Sequence, residues 1–193
     1  RDVLLAQHVG SRLHVCHVST AGSVEVIRWA KGRGVNVTAE VTPHHLILTE
    51  DLVSSYDPIY KVNPPLRTRE DVEALRAALA DGTIDAIATD HAPHPHEDKD
   101  CEWAAAAMGM LGLETALGVA IDTMVEPGLL TWRELAQHMS VQPARIGRVH
   151  TQGHDLVVGA VANIAIIDPS ARRMIEPTEL ASKSRNTPYR GME

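Results

Sequence analysis

The sequence predicts an α/β fold with a parallel sheet, and two observations support this. Strand-like and helix-like segments alternate along the first 90 positions, at the lengths that parallel strands and their crossover helices require. The composition is that of a globular protein, with 193 residues of which 44% are hydrophobic and 22% charged. These observations favour part of an α/β barrel or a doubly wound sheet, since three strands alone cannot close a barrel.

The first half of the chain is predicted to hold three helices of ordinary length and three strands. Helices begin where Thr20 and Thr68 offer N-caps, and they end before Gly34 and Gly82. Pro64 and Pro65 keep their segment extended. In chain order the prediction is helix 2–9, strand 12–18, helix 19–32, strand 35–41, a short helix from 49, extended chain at 60–66, helix 68–80 and strand 84–89.

The second half is predicted to change character near residue 151. Helices are expected at 111–125 and 131–139, the second opened by a capping box of Thr131 and Glu134. Segments 156–161 and 163–168 have the pattern of two short strands, followed by an irregular tail. We therefore predict two units, 1–150 and 151–193.

Charge and cysteine content argue against several classes of protein. The formal net charge is −7, and the 18 basic residues form no cluster, so we expect neither nucleic acid nor a membrane as partner. No apolar run of roughly 18 residues suggests a membrane span, and a cytoplasmic location is expected. Cys16 and Cys101 lie in different segments and form no spaced framework, so neither a disulfide scaffold nor a Cys-rich zinc site is suggested. The chain opens on a helix-like segment without Met, and we expect further residues before it.

His17 and Asp90 are the leading candidates for a functional site. Each ends a predicted strand, and functional groups of parallel α/β folds gather at the carboxyl ends of strands. Alternation along the strands puts His17 on one face with Leu13 and Val15. An imidazole and a carboxylate that meet there form a ligand pair suited to zinc. A role in capping or loop stabilisation is the simpler alternative for either residue.

Other polar residues near these strand ends receive weaker predictions. Glu40 shares an inward face with Thr38, and it either orients a ligand or histidine, or forms an ion pair with Lys or Arg. Cys16, opposite His17 in the alternation, is predicted to be a buried small residue. Of His44 and His45, at most one is expected to line the site, and neither to bind metal.

Five motifs in order resemble those of the type I dihydroorotases of the amidohydrolase superfamily. They lie at 15–20, 40–46, 61–67, 85–94 and 112–115. The resemblance also includes the tail at 186–188, and so covers nearly the whole chain. It implies a (β/α)8 barrel of the TIM type, of which this chain supplies strands six to eight, together with part of a small β-sandwich in 151–193.

The resemblance also implies roles in metal binding and proton transfer. His17 matches the sixth-strand histidine ligand of the second metal site, and Asp90 matches the eighth-strand aspartate that touches the first metal and moves the proton. One or two zinc ions are implied for a complete site. The family's other ligands precede the position of Arg1, so we predict that this polypeptide alone neither holds metal tightly nor turns over substrate.

Four further residues match substrate-contacting positions of the family. Asn63 and His94 are implied to contact the substrate, His94 towards its carboxylate, and the backbone at Met108 and Gly109 to hydrogen-bond it. The family commonly has proline where Ala107 stands here, and this departure affects the path of that loop.

The function implied is the reversible hydrolysis of dihydroorotate to N-carbamoyl-L-aspartate in de novo pyrimidine synthesis. A hydantoinase or allantoinase is the neighbouring alternative, against which segment 62–67 and His94 favour dihydroorotase. The alternative from another class is a non-catalytic homologue kept as a structural partner of aspartate transcarbamoylase. A homodimer, or association with that enzyme, is the assembly expected.

Overall fold

The computed structural model describes all 193 residues and shows an α/β structure built on one parallel sheet. The sheet has three strands in the order β1-β2-β3, so the predicted class is confirmed. The strands are β1 (Leu13–Val15), β2 (Val37–Val41) and β3 (Ala86–Ile87). The α-helices are α1 (Asp2–Val9), α2 (Ala21–Gly32), α3 (Arg69–Ala80), α4 (His96–Lys99), α5 (Ala116–Ala120), α6 (Trp132–Ala136) and α7 (Gln142–Gly147).

Helices α2 and α3 begin at the predicted threonine caps. Thr20 Oγ1 accepts the Ser23 N–H at 3.2 Å, and Thr68 Oγ1 accepts the Asp71 N–H at 3.2 Å. The Asp71 carboxylate does not accept the Thr68 N–H, as a capping box would require. It accepts the Ala21 N–H at 2.8 Å. The Asp71 side chain of α3 thus provides an acceptor for a free backbone N–H at the start of α2, and this bond holds the starts of the two helices together.

The main core lies between the sheet and the helices that cover one of its faces. Sixteen buried residues form one apolar cluster. Ala39, Val41 and Ile87 enter it from the strands, and Ile27 and Leu75 enter it from α2 and α3. Since side chains alternate along a strand, this packing leaves Thr38 and Glu40 of β2 on the opposite face.

The strands are shorter than the sequence suggests. Segment 12–18 contributes three residues to β1 and segment 84–89 contributes two to β3. Beyond them the chain turns sharply, because His17 and Asp90 adopt the left-handed conformation with φ of 53° and 46°. Alternation of side chains therefore stops before these two residues.

The helical segments after residue 110 differ from prediction at their ends. The expected helix at 111–125 starts only at Ala116, because Met110 pairs with His91 and the Leu111 N–H bonds to the Asn186 carbonyl. It then continues as one π-helical turn, Ile121–Val125. The helix predicted at 131–139 opens with the expected capping box and runs on through a π-helical turn, Gln137–Val141, into α7.

The two short strands predicted at 156–161 and 163–168 are not formed. No helix or strand lies between α7 and a 3₁₀ turn at Pro177–Glu179, and apolar side chains such as Val158 and Ile166 are fully exposed. Strands need a neighbour for their backbone hydrogen bonds, and neither segment pairs with another. Whether 151–193 is a separate unit stays a prediction. None of the helices is long and apolar enough to span a membrane.

Candidate functional site

His17 and Asp90 lie side by side at the carboxyl end of the sheet. His17 Nε2 is 3.4 Å from Asp90 Oδ1, and both side chains are about a quarter exposed. The residues follow β1 and β3, which flank β2, and their left-handed backbone turns each side chain over the end of the sheet. The sequence prediction that these two side chains meet is therefore borne out in geometry.

The two faces of β1 are not the ones that the sequence predicted. Leu13 and Val15 pack against the apolar clusters beneath the helices, whereas His14 is registered beside Thr38 on the polar face. His17 was predicted to share a face with Leu13 and Val15, and this was wrong. It reaches the polar face because its positive φ interrupts the alternation.

Glu40 connects the two histidines of this face. Its Oε2 is 3.0 Å from His14 Nε2, and its Oε1 is 2.9 Å from His17 Nδ1, although that second contact is poorly aligned as a hydrogen bond. His14 Nδ1 is in turn 2.8 Å from Thr38 Oγ1. The partners of Glu40 are thus histidines and not the Lys or Arg considered as an alternative.

Cys16 is exposed, and the prediction that it is a buried small residue was wrong. Alternation along β1 correctly put Cys16 on the face opposite Val15. That face of the sheet is the polar one, where Cys16 lies beside Glu40. Partial burial and the carboxylates of Glu40 and Asp90 raise the pKa of its thiol. The ligand atoms of His14, Cys16 and Glu40 all lie within 4.8 Å of one another, so these three could also hold a metal ion.

The spacing of His17 and Asp90 fits a shared metal ion. Two ligands bound at about 2.0 Å in a tetrahedral arrangement are separated by about 3.3 Å, close to the 3.4 Å between His17 Nε2 and Asp90 Oδ1. Imidazole nitrogen and carboxylate oxygen are both common zinc ligands. A complete site needs more ligands than these two, as a zinc ion takes four or five.

His44 and His45 are buried behind the site. His45 uses both ring nitrogens on protein atoms, Nδ1 at 2.7 Å from Thr42 Oγ1 and Nε2 at 3.1 Å from the Pro64 carbonyl. Burial lowers the pKa of His45 to about 4 and places that of His44 well below its usual value. Both rings are therefore neutral near pH 7, and His45 anchors the segment that carries Asn63.

Three of the four predicted substrate-contacting residues lie together. His94 Nε2 is 3.0 Å from the Met108 carbonyl, and Gly109 packs directly on the segment Ala92–His94. A Cβ at Gly109, where φ is 127°, would lie 2.5 Å from Ala92 Cβ. Asn63 is exposed on the adjoining segment, which is tied to this loop by the Gly109 N–H bonded to the Lys61 carbonyl at 2.9 Å.

The backbone at Met108 and Gly109 offers fewer free groups than the resemblance suggests. The Gly109 N–H is used by the Lys61 carbonyl, and the Gly109 carbonyl accepts from the side chains of Lys99 and Asn186. The Met108 N–H makes no hydrogen bond within the chain. It is therefore the backbone donor left for a ligand.

Asn186 is a residue whose role sequence reasoning missed. Its Oδ1 accepts the His94 N–H at 3.2 Å, and its Nδ2 donates to the Ala92 carbonyl at 2.8 Å. The only signal was its place in the motif at 186–188. A cleft of about 1090 Å³ lies on this side, beside His94 and Asn186, and it does not include His17 or Asp90.

Comparison with known proteins supports the resemblance over the whole chain. The chain is 66% identical to the dihydroorotase of Streptomyces coelicolor over 193 residues, which cover 100% of this chain and 45% of the relative. It is 54% identical to the dihydroorotase of Mycobacterium tuberculosis, again over 100% of this chain and 45% of the relative. The chain thus spans less than half the length of these relatives. No family model matches it.

Solved structures of related enzymes share the fold. An L-hydantoinase (dihydropyrimidinase) from Arthrobacter aurescens superposes with a TM-score of 0.91 at 34% identity, covering 99% of this chain and 43% of the other. A dihydropyrimidinase from Brevibacillus agri superposes with a TM-score of 0.87 at 25% identity, covering 99% and 42%. The high identity to dihydroorotases over the whole chain confirms the resemblance that the five motifs indicated.

Proposed function

We propose that this chain, similar along its whole length to dihydroorotases, is part of a cytoplasmic zinc-dependent enzyme that hydrolyses dihydroorotate reversibly to N-carbamoyl-L-aspartate. The observation that carries the proposal is the convergence of His17 and Asp90 at the end of the sheet, 3.4 Å apart. The identities of 66% and 54% to dihydroorotases support the choice of substrate.

The proposal includes the architecture of the whole enzyme. Strands β1, β2 and β3 would be the sixth, seventh and eighth of a (β/α)8 barrel, and residues 151–193 would contribute to a small β-sandwich. The parallel order β1-β2-β3 supports the first part. The fully exposed apolar side chains of Val158 and Ile166 support the second, because a sandwich would cover them.

His17 Nε2 and Asp90 Oδ1 would be ligands of a site for one or two zinc ions. Bound zinc would polarise the ring amide carbonyl and make a water more acidic. The Asp90 carboxylate then accepts the proton of the attacking water and delivers it to the ring nitrogen as the carbon–nitrogen bond breaks. The water oxygen ends on the new carboxyl group. One of the two water protons ends on the new carbamoyl nitrogen, and the other is released to solvent as the carboxyl group ionises. In the reverse direction, Asp90 returns the same proton.

The substrate is held through its own carboxylate at the other side of the site. Asn63 provides a side-chain donor for it, and the unused Met108 N–H provides a backbone donor. His94 adds a donor at Nδ1 when its ring carries both protons, since Nε2 is bonded to the Met108 carbonyl. The ring of His94 is fixed by the Met108 carbonyl, and its backbone N–H by Asn186. Donors fixed in this way hold the ring amide over Asp90 and reduce the entropy lost on reaction.

A hydantoinase is the second candidate, because the L-hydantoinase structure superposes with a TM-score of 0.91. The identity of 34% to that protein is about half the 66% to a dihydroorotase. The full-length protein should be assayed with dihydroorotate, hydantoin and allantoin, before and after treatment with a chelator. Dihydroorotate turnover that zinc restores supports the proposal, and preference for hydantoin or allantoin contradicts it.

A further inference from the structure

Two lysine side chains hold the loop that carries Met108 and Gly109. Lys61 Nζ donates to the carbonyls of Trp103 and Ala106, each at 2.6 Å, with Ala104 also in reach at 3.2 Å. Lys99 Nζ donates to the carbonyls of Ala107 and Gly109, each at 2.9 Å, and to that of Lys61 at 3.3 Å. Each ammonium therefore directs all three of its donors to backbone oxygens.

Neither ammonium has a carboxylate partner, although Lys99 is buried with only 8% of its surface exposed. Burying an unpaired charge is costly unless other groups solvate it, so the loop carbonyls must take the place of water. Burial and the Lys61 ammonium lower the pKa of Lys99 to about 8, while Asp57 and Cys101 act weakly in the opposite direction. Because burying the Lys99 ammonium costs free energy, its hydrogen bonds to the loop indicate a structural or functional role for this lysine.

The lysines determine which way the peptide groups of the loop face. In a trans peptide the carbonyl and the following N–H point in opposite directions. Because Lys99 draws the Ala107 carbonyl towards itself, the N–H of Met108 must point away from Lys99. This is the N–H that no group of the chain uses. The next carbonyl, that of Met108, faces the His94 ring.

We propose that Lys61 and Lys99 are positioning residues that aim the Met108 N–H and the His94 ring at the carboxylate of the substrate. The inference rests on the proposed function, since it assumes that the loop binds an anionic substrate. It adds two residues without any contact to substrate. Gly109 belongs to the same arrangement, because only a residue without Cβ lets the held loop reach Ala92 and His94.

The kinetic test uses the full-length protein with Lys99→Met and Lys61→Met. Loss of charge-assisted hydrogen bonds to the loop should weaken binding alike in ground and transition states, so we expect KM for dihydroorotate to rise about tenfold with kcat nearly unchanged. Lys183→Met is the matched control, because this exposed lysine lines the same cleft as Lys99 and makes no hydrogen bond to the loop. KM within twofold of the parent in both variants overturns the proposal.

A second measurement reports on the loop without any substrate. In a background in which Trp29, Trp132 and any tryptophan outside residues 1–193 are replaced by Phe, Trp103 alone emits, and Lys61 holds its carbonyl. We expect Lys61→Met to shift its emission to the red and to increase its quenching by acrylamide, while Lys183→Met changes neither. Unchanged emission and quenching in Lys61→Met overturn the proposal. A parent protein without dihydroorotase activity contradicts the proposed function instead, while the emission still tests the hold on the loop.

Discussion

Replacing Glu40 with glutamine tests the contact that joins His14 and His17. The carboxylate now faces one ring nitrogen with each oxygen, at 3.0 Å and 2.9 Å, and its side chain is only 13% exposed. Glutamine keeps the shape but turns one oxygen into an NH₂ donor, so one ring nitrogen must face a donor and both rings lose the negative charge beside them. An oriented metal-ligating histidine that loses its partner typically costs 10- to 100-fold in metal affinity, so we expect a loss of about that size.

The assay is a zinc titration of the full-length protein against a chromophoric chelator. Glu25→Gln serves as the control, because Glu25 is 73% exposed and pairs only with Arg28 on the surface of α2. Circular dichroism establishes that both variants fold. If Glu40→Gln binds zinc as tightly as the parent does, Glu40 does not orient His17 and the reasoning fails.

Three further predictions follow from the same contacts. Asp90→Asn should keep the fold by circular dichroism but lose at least about 100-fold in kcat, whereas Asp155→Asn should not. Gly109→Ala should lower the free energy of unfolding by about 1–3 kcal/mol, seen in urea, because its φ of 127° and the contact with Ala92 both oppose a Cβ. The unfolded chain binds more protons than the folded one between the Lys99 pKa of about 8 and its unfolded value, so stability should rise with pH there, and less so in Lys99→Met.

Each of these has an outcome that contradicts it. Residual turnover of Asp90→Asn near the parent level excludes Asp90 as the proton carrier. A Gly109→Ala protein as stable as the parent means that the loop adapts without strain. Equal pH slopes of parent and Lys99→Met in urea titrations at pH 8 to 10 show that Lys99 titrates at its ordinary value.

The sequence was informative where a local signal determines the structure. The starts of α2 and α3 follow from Thr20 and Thr68, because a hydroxyl that accepts a backbone N–H acts within three residues. The meeting of His17 and Asp90 followed from parallel topology alone. The face of His17 did not, because alternation assumes regular backbone and the positive φ is not visible in the residue pattern.

Features that depend on distant partners could not be read from the sequence. Segments 156–161 and 163–168 alternate like strands, but a strand forms only where another accepts its hydrogen bonds. Lys61 lies between Tyr60 and Val62, and Lys99 lies between two aspartates. Neither setting shows that the folded loop brings backbone carbonyls to both ammonium groups. Cys16 was assigned to the right side of β1, but which side of β1 is the polar one was misidentified.

The left-handed backbone at His17 and Asp90 restricts which variants can arise there. Asparagine, aspartate, histidine and glycine tolerate φ near +50°, whereas β-branched residues do not. His17→Asn and Asp90→Asn would therefore preserve the turn while removing the imidazole or the charge. At either position, one substitution removes the functional group and keeps the backbone conformation. Under the proposed function, either variant would be inactive and still folded.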